Sequence, residues 1–360
     1  MNQRRSFVHT LGDSTLDNYY WMLSNSKDAN IEKAKAESVE GQLQNALDPQ
    51  GQSYKVVSHA YDGFTTRNVL EKGVVGYCLR ILHHPQGGLT FQLQNYFSHK
   101  NVTAFGERRP LDSLEERVKL NSKSKHYVVI SVGGNDFREL LSTPLSLFRE
   151  IPNIRARYLE IVNRVKALSP TNVHPILMFQ YRPGFTPDPY GIYTILKVAG
   201  LFLAAVQSLS IGTIGISAIA LLAHKITQRS AFIFTLIGTL GLILTTQVMS
   251  LKTTAGIWKG QQAGIALLGD LMERFYRPIL QQAAKDRIPV LDLPNVFNPL
   301  DRALYTSQIE PSVTGGKMIA RGLAKIIKSH DFSEKSYIYD HFSQLRSENT
   351  PNEWRVRYPS

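Results

Sequence analysis

Two stretches in the second half of the chain leave few choices of fold. From Val198 to Ala223 about 26 residues pass without a formal charge, and from Ala231 to Leu251 about 21 more do the same. As helices rising ~1.5 Å per residue, each is long enough to cross roughly 30 Å of hydrocarbon. The short connector between them, His224–Ser230, suits a tight hairpin. An amphipathic lid would show a polar face, and neither run has a convincing one; a hairpin buried in a soluble core is the remaining alternative. Ala204, Ser208 and Gly212 recur every fourth residue, a stripe that would let two helices approach closely in lipid. The pattern predicts a two-pass membrane protein, with a hairpin over about 191–256, helices at about 198–223 and 231–251, and a lipid bilayer as partner. Met1–Arg5 leads into an apolar stretch too short for a secretory signal, so the rest of the chain is expected on the cytosolic side. Lys225 and Arg229 in the connector, against Arg182, Lys197, Lys252 and Lys259, do not decide the orientation.

Around the hairpin, strands alternate with helices. Phe7–Leu11, Tyr54–Ser58, Tyr127–Val132, Val173–Gln180 and Ile288–Leu293 read as strands, and Asn30–Leu47, Thr65–Lys72, Leu145–Leu168 and Gly264–Asp286 as helices. That alternation predicts a parallel sheet with helices on both faces. The hairpin falls after the fourth strand, in a loop at the sheet edge where α/β proteins place their chemistry. One domain is therefore expected in two pieces, 1–190 and 257–329, with 330–360 a polar surface tail. With 43% hydrophobic residues in 360, a sizeable core remains after the hairpin is subtracted. Residues 73–122 are less regular and read as an insertion. His83-His84 within them lacks a third ligand at useful spacing and reads as a solvated turn, so no metal is expected.

Three strand ends carry the residues that matter chemically. The first strand runs into Gly12-Asp13-Ser14-Thr15-Leu16-Asp17, and the third into Gly133-Gly134-Asn135-Asp136. Alone, Gly, Asp and Ser are ordinary turn and capping residues. Together, and with Tyr61-Asp62-Gly63-Phe64 after the second strand, they resemble three of the four blocks of the GDSL, or SGNH, hydrolases, serine esterases and lipases. The resemblance covers about residues 6–328 with one interruption. It implies a flavodoxin-like three-layer αβα fold around a central parallel sheet, with Ser14 as nucleophile. The backbone N–H groups of Ser14 and Gly63 and the Asn135 amide would then receive the oxyanion, since donors fixed in advance stabilise the charge of acyl transfer. The fourth block departs from the pattern. Ser307-Gln308-Ile309-Glu310-Pro311-Ser312 places Glu310 where the family has its catalytic histidine and Ser307 where it has the orienting aspartate. Glu310 is thus a candidate base, a weaker one than histidine unless burial raises its pKa. The other readings are a distant histidine (His9, His59, His330 or His341) or a site that only binds.

The net charge of +12 fits an anionic membrane surface as well as nucleic acid, but no nucleic-acid motif occurs and the cations are scattered. The lone Cys78 excludes an internal disulfide, and Asn101-Val102-Thr103 matches a glycosylation acceptor of a kind common by chance. These features lead to a membrane-anchored serine ester hydrolase acting on lipid or other acyl esters, without metal or organic cofactor and without nucleic acid. A catalytically silent membrane adaptor of the same fold, binding lipid or protein, is the rival. Oligomeric state stays open.

Overall fold

The computed structural model describes residues 5–25, 30–76, 91–141, 147–185, 191–223, 227–246, 249–306, 308–333, 336–341 and 354–357. The chain divides into two compact units, Met1–Glu139 with Asn153–Pro187 and Pro278–Ser360, and Leu140–Pro152 with Asp188–Arg277.

In chain order the described strands are β1 (Ser6–Gly12), β2 (Tyr54–Ala60), β3 (Gly73–Val74), β4 (Glu107–Arg108), β5 (His126–Ser131), β6 (Val173–Phe179), β7 (Val290–Asp292), β8 (Tyr305–Thr306), β9 (Glu310–Pro311), β10 (Ile338–His341) and β11 (Trp354–Arg357). The first unit is α/β, built on a sheet ordered β11-β10-β7-β6-β5-β1-β2. Six of these strands are parallel, and β11 runs antiparallel to β10 at one edge. β5 is buried along its whole length, as its unbroken Tyr-Val-Val-Ile run requires of a central parallel strand. Side chains alternate across the sheet. Val8, Val129, Ile176, Met178 and Leu291 face one core, closed by helices Val39–Leu47 and Val313–Ser329. The strand register decides where the loops emerge. Gly12 lies opposite Ala60 on one side and Ser131 on the other, so three strands end level and their loops leave the sheet together.

Several expectations need correction. The helix expected over 30–47 is two helices, Ile31–Glu37 and Val39–Leu47. Ser38 ends the first through its N–H to the Ala34 carbonyl and starts the second by accepting the Gly41 N–H at 3.1 Å. The stretch 73–122 contains helices Phe91–His99 and Pro110–Leu120 and the β3–β4 pair. The expected tail supplies β10 and β11. Ile338 and Tyr339 are buried, and β10 continues the parallel sheet beside β7. Cys78, His83 and His84 lie outside the described residues.

The second unit contains helices Ile192–Leu222 and Gln228–Thr246, both long and apolar enough to cross a membrane, with mean hydropathy of 1.8 and 1.5. The first begins earlier than the uncharged run because Lys197 is exposed and interrupts nothing. The second ends earlier because Ser250 caps a new helix, Leu251–Trp258. The packing stripe also differs from the expected one. Ala204 is buried, but Ser208 and Gly212 face outward, and a Cβ on Gly212 would meet nothing within 4 Å. The close approach is made by Gly238 and Gly241, where added Cβ atoms would lie 2.8 Å from the Ser210 carbonyl oxygen and 2.5 Å from Ser210 Oγ.

Candidate active site

Ser14 sits two residues past a backbone crossing that only glycine permits. Gly12 has φ of 153°, and a Cβ there would lie 1.7 Å from the Ser131 carbonyl oxygen. β1 can therefore abut β5, and the Asp13 N–H continues the ladder to that carbonyl at 3.1 Å. The chain then turns at once, with the N–H groups of Leu16 and Asp17 donating to the Asp13 carbonyl. Asp13 itself is held from inside the fold. Its carboxylate accepts from Thr15 N–H at 3.1 Å and from Gln180 Nε2 at 3.0 Å on both oxygens. Ser14 thus projects from a turn that is hydrogen bonded on both sides.

The loop after β2 is locked to the same turn. Asp17 Oδ2 accepts from the Asp62 N–H at 3.0 Å and from Tyr96 Oη at 2.7 Å. Asp17 Oδ1 pairs with Lys100 at 2.8 Å, and the same ammonium donates to the Ala60 carbonyl at 3.1 Å. Burial works against the charge on Lys100, but Asp17 and Glu40 outweigh it and its pKa is raised. These bonds fix the backbone on both sides of Tyr61. Gly63, with φ of 81°, turns the chain just beyond. Asn135 Nδ2 donates to the Phe64 carbonyl at 3.1 Å, which ties the third block to the residue after Gly63. An amide carries two protons, so one is committed here. Asp136 secures the same junction by accepting from the Thr66 N–H and hydroxyl at 2.8 and 2.6 Å.

Glu310 reaches this site from far along the sequence. It lies in β9 opposite Thr306, and its neighbours are clamped on either side. Tyr181 Oη donates to the Ile309 carbonyl at 2.8 Å and Asn18 Nδ2 to the Pro311 carbonyl at 3.0 Å. The Glu310 side chain lies near enough to Ser14 for the hydroxyl to favour its ionised form, while its Oε2 is buried without a hydrogen-bond partner. Burial, and next the charge of Asp62, push the Glu310 carboxyl well above the ordinary range, with the Ser14 hydroxyl pulling the other way. Asp13 and Asp62 are each raised to about 7, chiefly by burial. The ionised form of Glu310 is the one able to take a proton from Ser14, and burial defers that form to higher pH than an ordinary carboxyl needs.

Among the described residues, the other base candidates are engaged elsewhere. His9 is buried between His59 and His126, with Nδ1 3.1 Å from His59 Nε2 and Nε2 3.0 Å from His126 Nδ1. This chain has a fixed direction. The Asn121 carbonyl can only accept, so His126 donates from Nε2, His9 and His59 each donate from Nε2 in turn, and Ser113 donates to His59 Nδ1. All three rings are occupied in that role. His330 caps the far end of helix Val313–Ser329, about 25 Å of helix away from Ser312. It bonds Tyr339 Oη at 3.0 Å. The Ser307 position and the His341 side chain lie outside what is described. Sequence reasoning missed Asp62, whose charge raises the Glu310 pKa, and the Gln180 and Lys100 supports. Asp62 adjoins Gly63 and Gln180 directly follows β6, so strand-end position was the available signal.

No protein-family model matches the sequence, and no curated protein matches it. Among solved structures, the crystal structure of the Bacillus subtilis protein YxiM is similar at a TM-score of 0.29 and 14% identity, over 78% of this chain and 57% of that chain. The chain thus spans less than two thirds of that protein's length.

Proposed function

We propose that this chain is a membrane-anchored serine ester hydrolase of SGNH type, acting on a lipid or another acyl ester. The observation that carries the reading is the approach of the buried Glu310 carboxyl to Ser14, at strand ends that also present Gly63 and Asn135. The strand order supports the finer fold assignment. Counting only its first five strands, the parallel sheet runs 2-1-3-4-5, the flavodoxin-like order, whose ligands bind at the carboxyl ends of the strands. A three-layer αβα domain with a helical insert after its fourth strand fits that order.

In this reading Ser14 Oγ attacks the acyl carbonyl as its proton passes to ionised Glu310. The N–H groups of Ser14 and Gly63, with the second proton of the Asn135 amide, receive the developing oxyanion. Glu310 then returns the proton to the departing alkoxide, takes another from the water that attacks the acyl group, and delivers it to Ser14 Oγ as the acyl–serine bond breaks. Asp13, gripped by Gln180, and Asp17, gripped by Lys100, hold the turns so that these groups need no reorganisation. The two long apolar helices anchor the enzyme in a bilayer, which points to lipid-like substrates. Hydrolysis of a short-chain nitrophenyl ester by the full chain in detergent tests the proposal. Turnover is expected to vanish in Ser14→Ala. Turnover that persists in this variant would refute the assignment, and no turnover by the parent at any pH would leave the silent adaptor.

A further inference from the structure

The second unit carries a surface that ester chemistry does not use. Helix Ile192–Leu222 has 31 residues and its partner Gln228–Thr246 only 19. At ~1.5 Å per residue these are about 46 and 28 Å long. The shorter matches a hydrocarbon layer of roughly 30 Å, and the longer overhangs it by about 18 Å, at the end away from the connector. A polar knot marks where the overhang begins. Gln207, fully buried, donates from Nε2 to the Met249 carbonyl at 2.8 Å and accepts from Thr254 Oγ1. Just beyond, Ser250 caps helix Leu251–Trp258, and Trp258 Nε1 donates to Ser208 Oγ at 3.0 Å, fastening this short helix to the long one.

The resulting collar is apolar and cationic at once. Ile195, Val198, Phe202, Leu251 and Trp258 are exposed, and so are Lys197, Lys252 and Lys259. From Gly191 to Gly269 the sequence has no aspartate or glutamate. The first carboxylate after that span, Asp270, is turned inward onto the Ser250 N–H at 2.6 Å. Indole rings favour the headgroup level of a bilayer, and lysines beside apolar surface extend their ammonium groups to the phosphates. We propose that residues 192–206 and 251–259 form a collar in the headgroup layer of an anionic leaflet, with the phosphates of acidic phospholipids as its ligands. Apolar contact alone, with zwitterionic lipid or with a second copy of the chain, would not require the exclusion of every acid. The inference rests on the membrane reading of the two long helices.

Quenching of Trp258 by brominated lipid tests it. The full chain is reconstituted in phosphatidylcholine vesicles containing brominated phosphatidylglycerol or brominated phosphatidylcholine, and the Trp258→Phe variant isolates the signal of this residue. One well-placed cation favours an acidic lipid by roughly five-fold. Brominated phosphatidylglycerol is therefore expected to reach half-quenching at about a fifth, or less, of the mole fraction that brominated phosphatidylcholine needs. The preference should vanish in Lys197→Gln/Lys252→Gln/Lys259→Gln and in about 0.5 M salt, which screens charges beyond a few ångströms. It should survive in Lys225→Gln/Arg229→Gln, whose cations lie in and beside the connector. Equal quenching by the two lipids, or none in a chain that resists alkaline carbonate extraction, overturns the collar. A chain that carbonate extracts from the vesicles overturns the membrane reading beneath it.

Discussion

Replacing Glu310 with glutamine should move activity and stability in opposite directions. Glutamine keeps an oxygen toward Ser14 and sets a neutral amide where Oε2 is buried without a partner. It cannot accept the Ser14 proton. General base catalysis contributes about 10²–10⁴-fold, so kcat/KM should fall by that factor, a barrier increase of about 2.7–5.4 kcal/mol. Stability depends on where the carboxyl titrates. Burial and Asp62 raise its pKa in the folded chain, whereas the unfolded chain ionises near the ordinary value of 4.5. Between those two values the native state holds the extra proton. Its stabilisation is complete below 4.5 and is lost as pH rises toward the folded value, by up to about 1.4 kcal/mol per pH unit. Glu310→Gln removes that slope. The variant is expected to match the parent near the acid end and to unfold at progressively higher urea than the parent as pH rises above 4.5. The parent's kcat/KM should rise with pH through the Glu310 ionisation, and the residual rate of the variant should be flat. A variant with the parent's rate and pH profile would refute the assignment of the base, and one less stable than the parent above pH 4.5 would refute the buried, raised carboxyl.

Asp62→Asn removes a charge that raises the Glu310 pKa while leaving an acceptor for the Trp21 indole, so the rise in activity with pH should move to lower pH. An unmoved profile would detach Asp62 from the site. Asn135→Ala deletes one fixed oxyanion donor and should cost about 10²–10³-fold in kcat with the fold intact by circular dichroism. In the histidine chain, burial lowers the His59 pKa to about 3, against 6.5 when exposed. Its contribution to stability is complete above 6.5 and is lost as pH falls toward the folded value. His59→Gln should make the acid loss of urea stability shallower by about 1.4 kcal/mol per pH unit, and an unchanged slope would show that His59 takes up no proton on unfolding.

The strands and the Ser14, Gly63 and Asn135 turns were legible because each is a local pattern, a buried run ending in glycine, and because parallel strands in register end level. Glu310 was singled out by the Pro-Ser and glycine spacing after it. Its approach to Ser14 was not legible, since nearly 300 residues separate them. The same holds for Lys100 with Asp17 and for Gln180 with Asp13. A side-chain pair between distant segments leaves no periodicity in either. β10 escaped notice because four residues within a polar stretch cannot dominate local composition, although Ile338 and Tyr339 are buried. The small-residue stripe was misplaced because spacing alone offers several faces of one helix. The partner's glycines, Gly238 and Gly241, select Ser210.

The central claim is that Ser14 is a nucleophile activated by Glu310. A fluorophosphonate reacts with such a serine and leaves a stable phosphonyl adduct that peptide mass spectrometry can place. The full chain in detergent at alkaline pH is predicted to carry one adduct, on Ser14. The adduct should be absent from Ser14→Ala and should form far more slowly in Glu310→Gln. An unmodified chain, or an adduct elsewhere that persists in Ser14→Ala, would contradict the account.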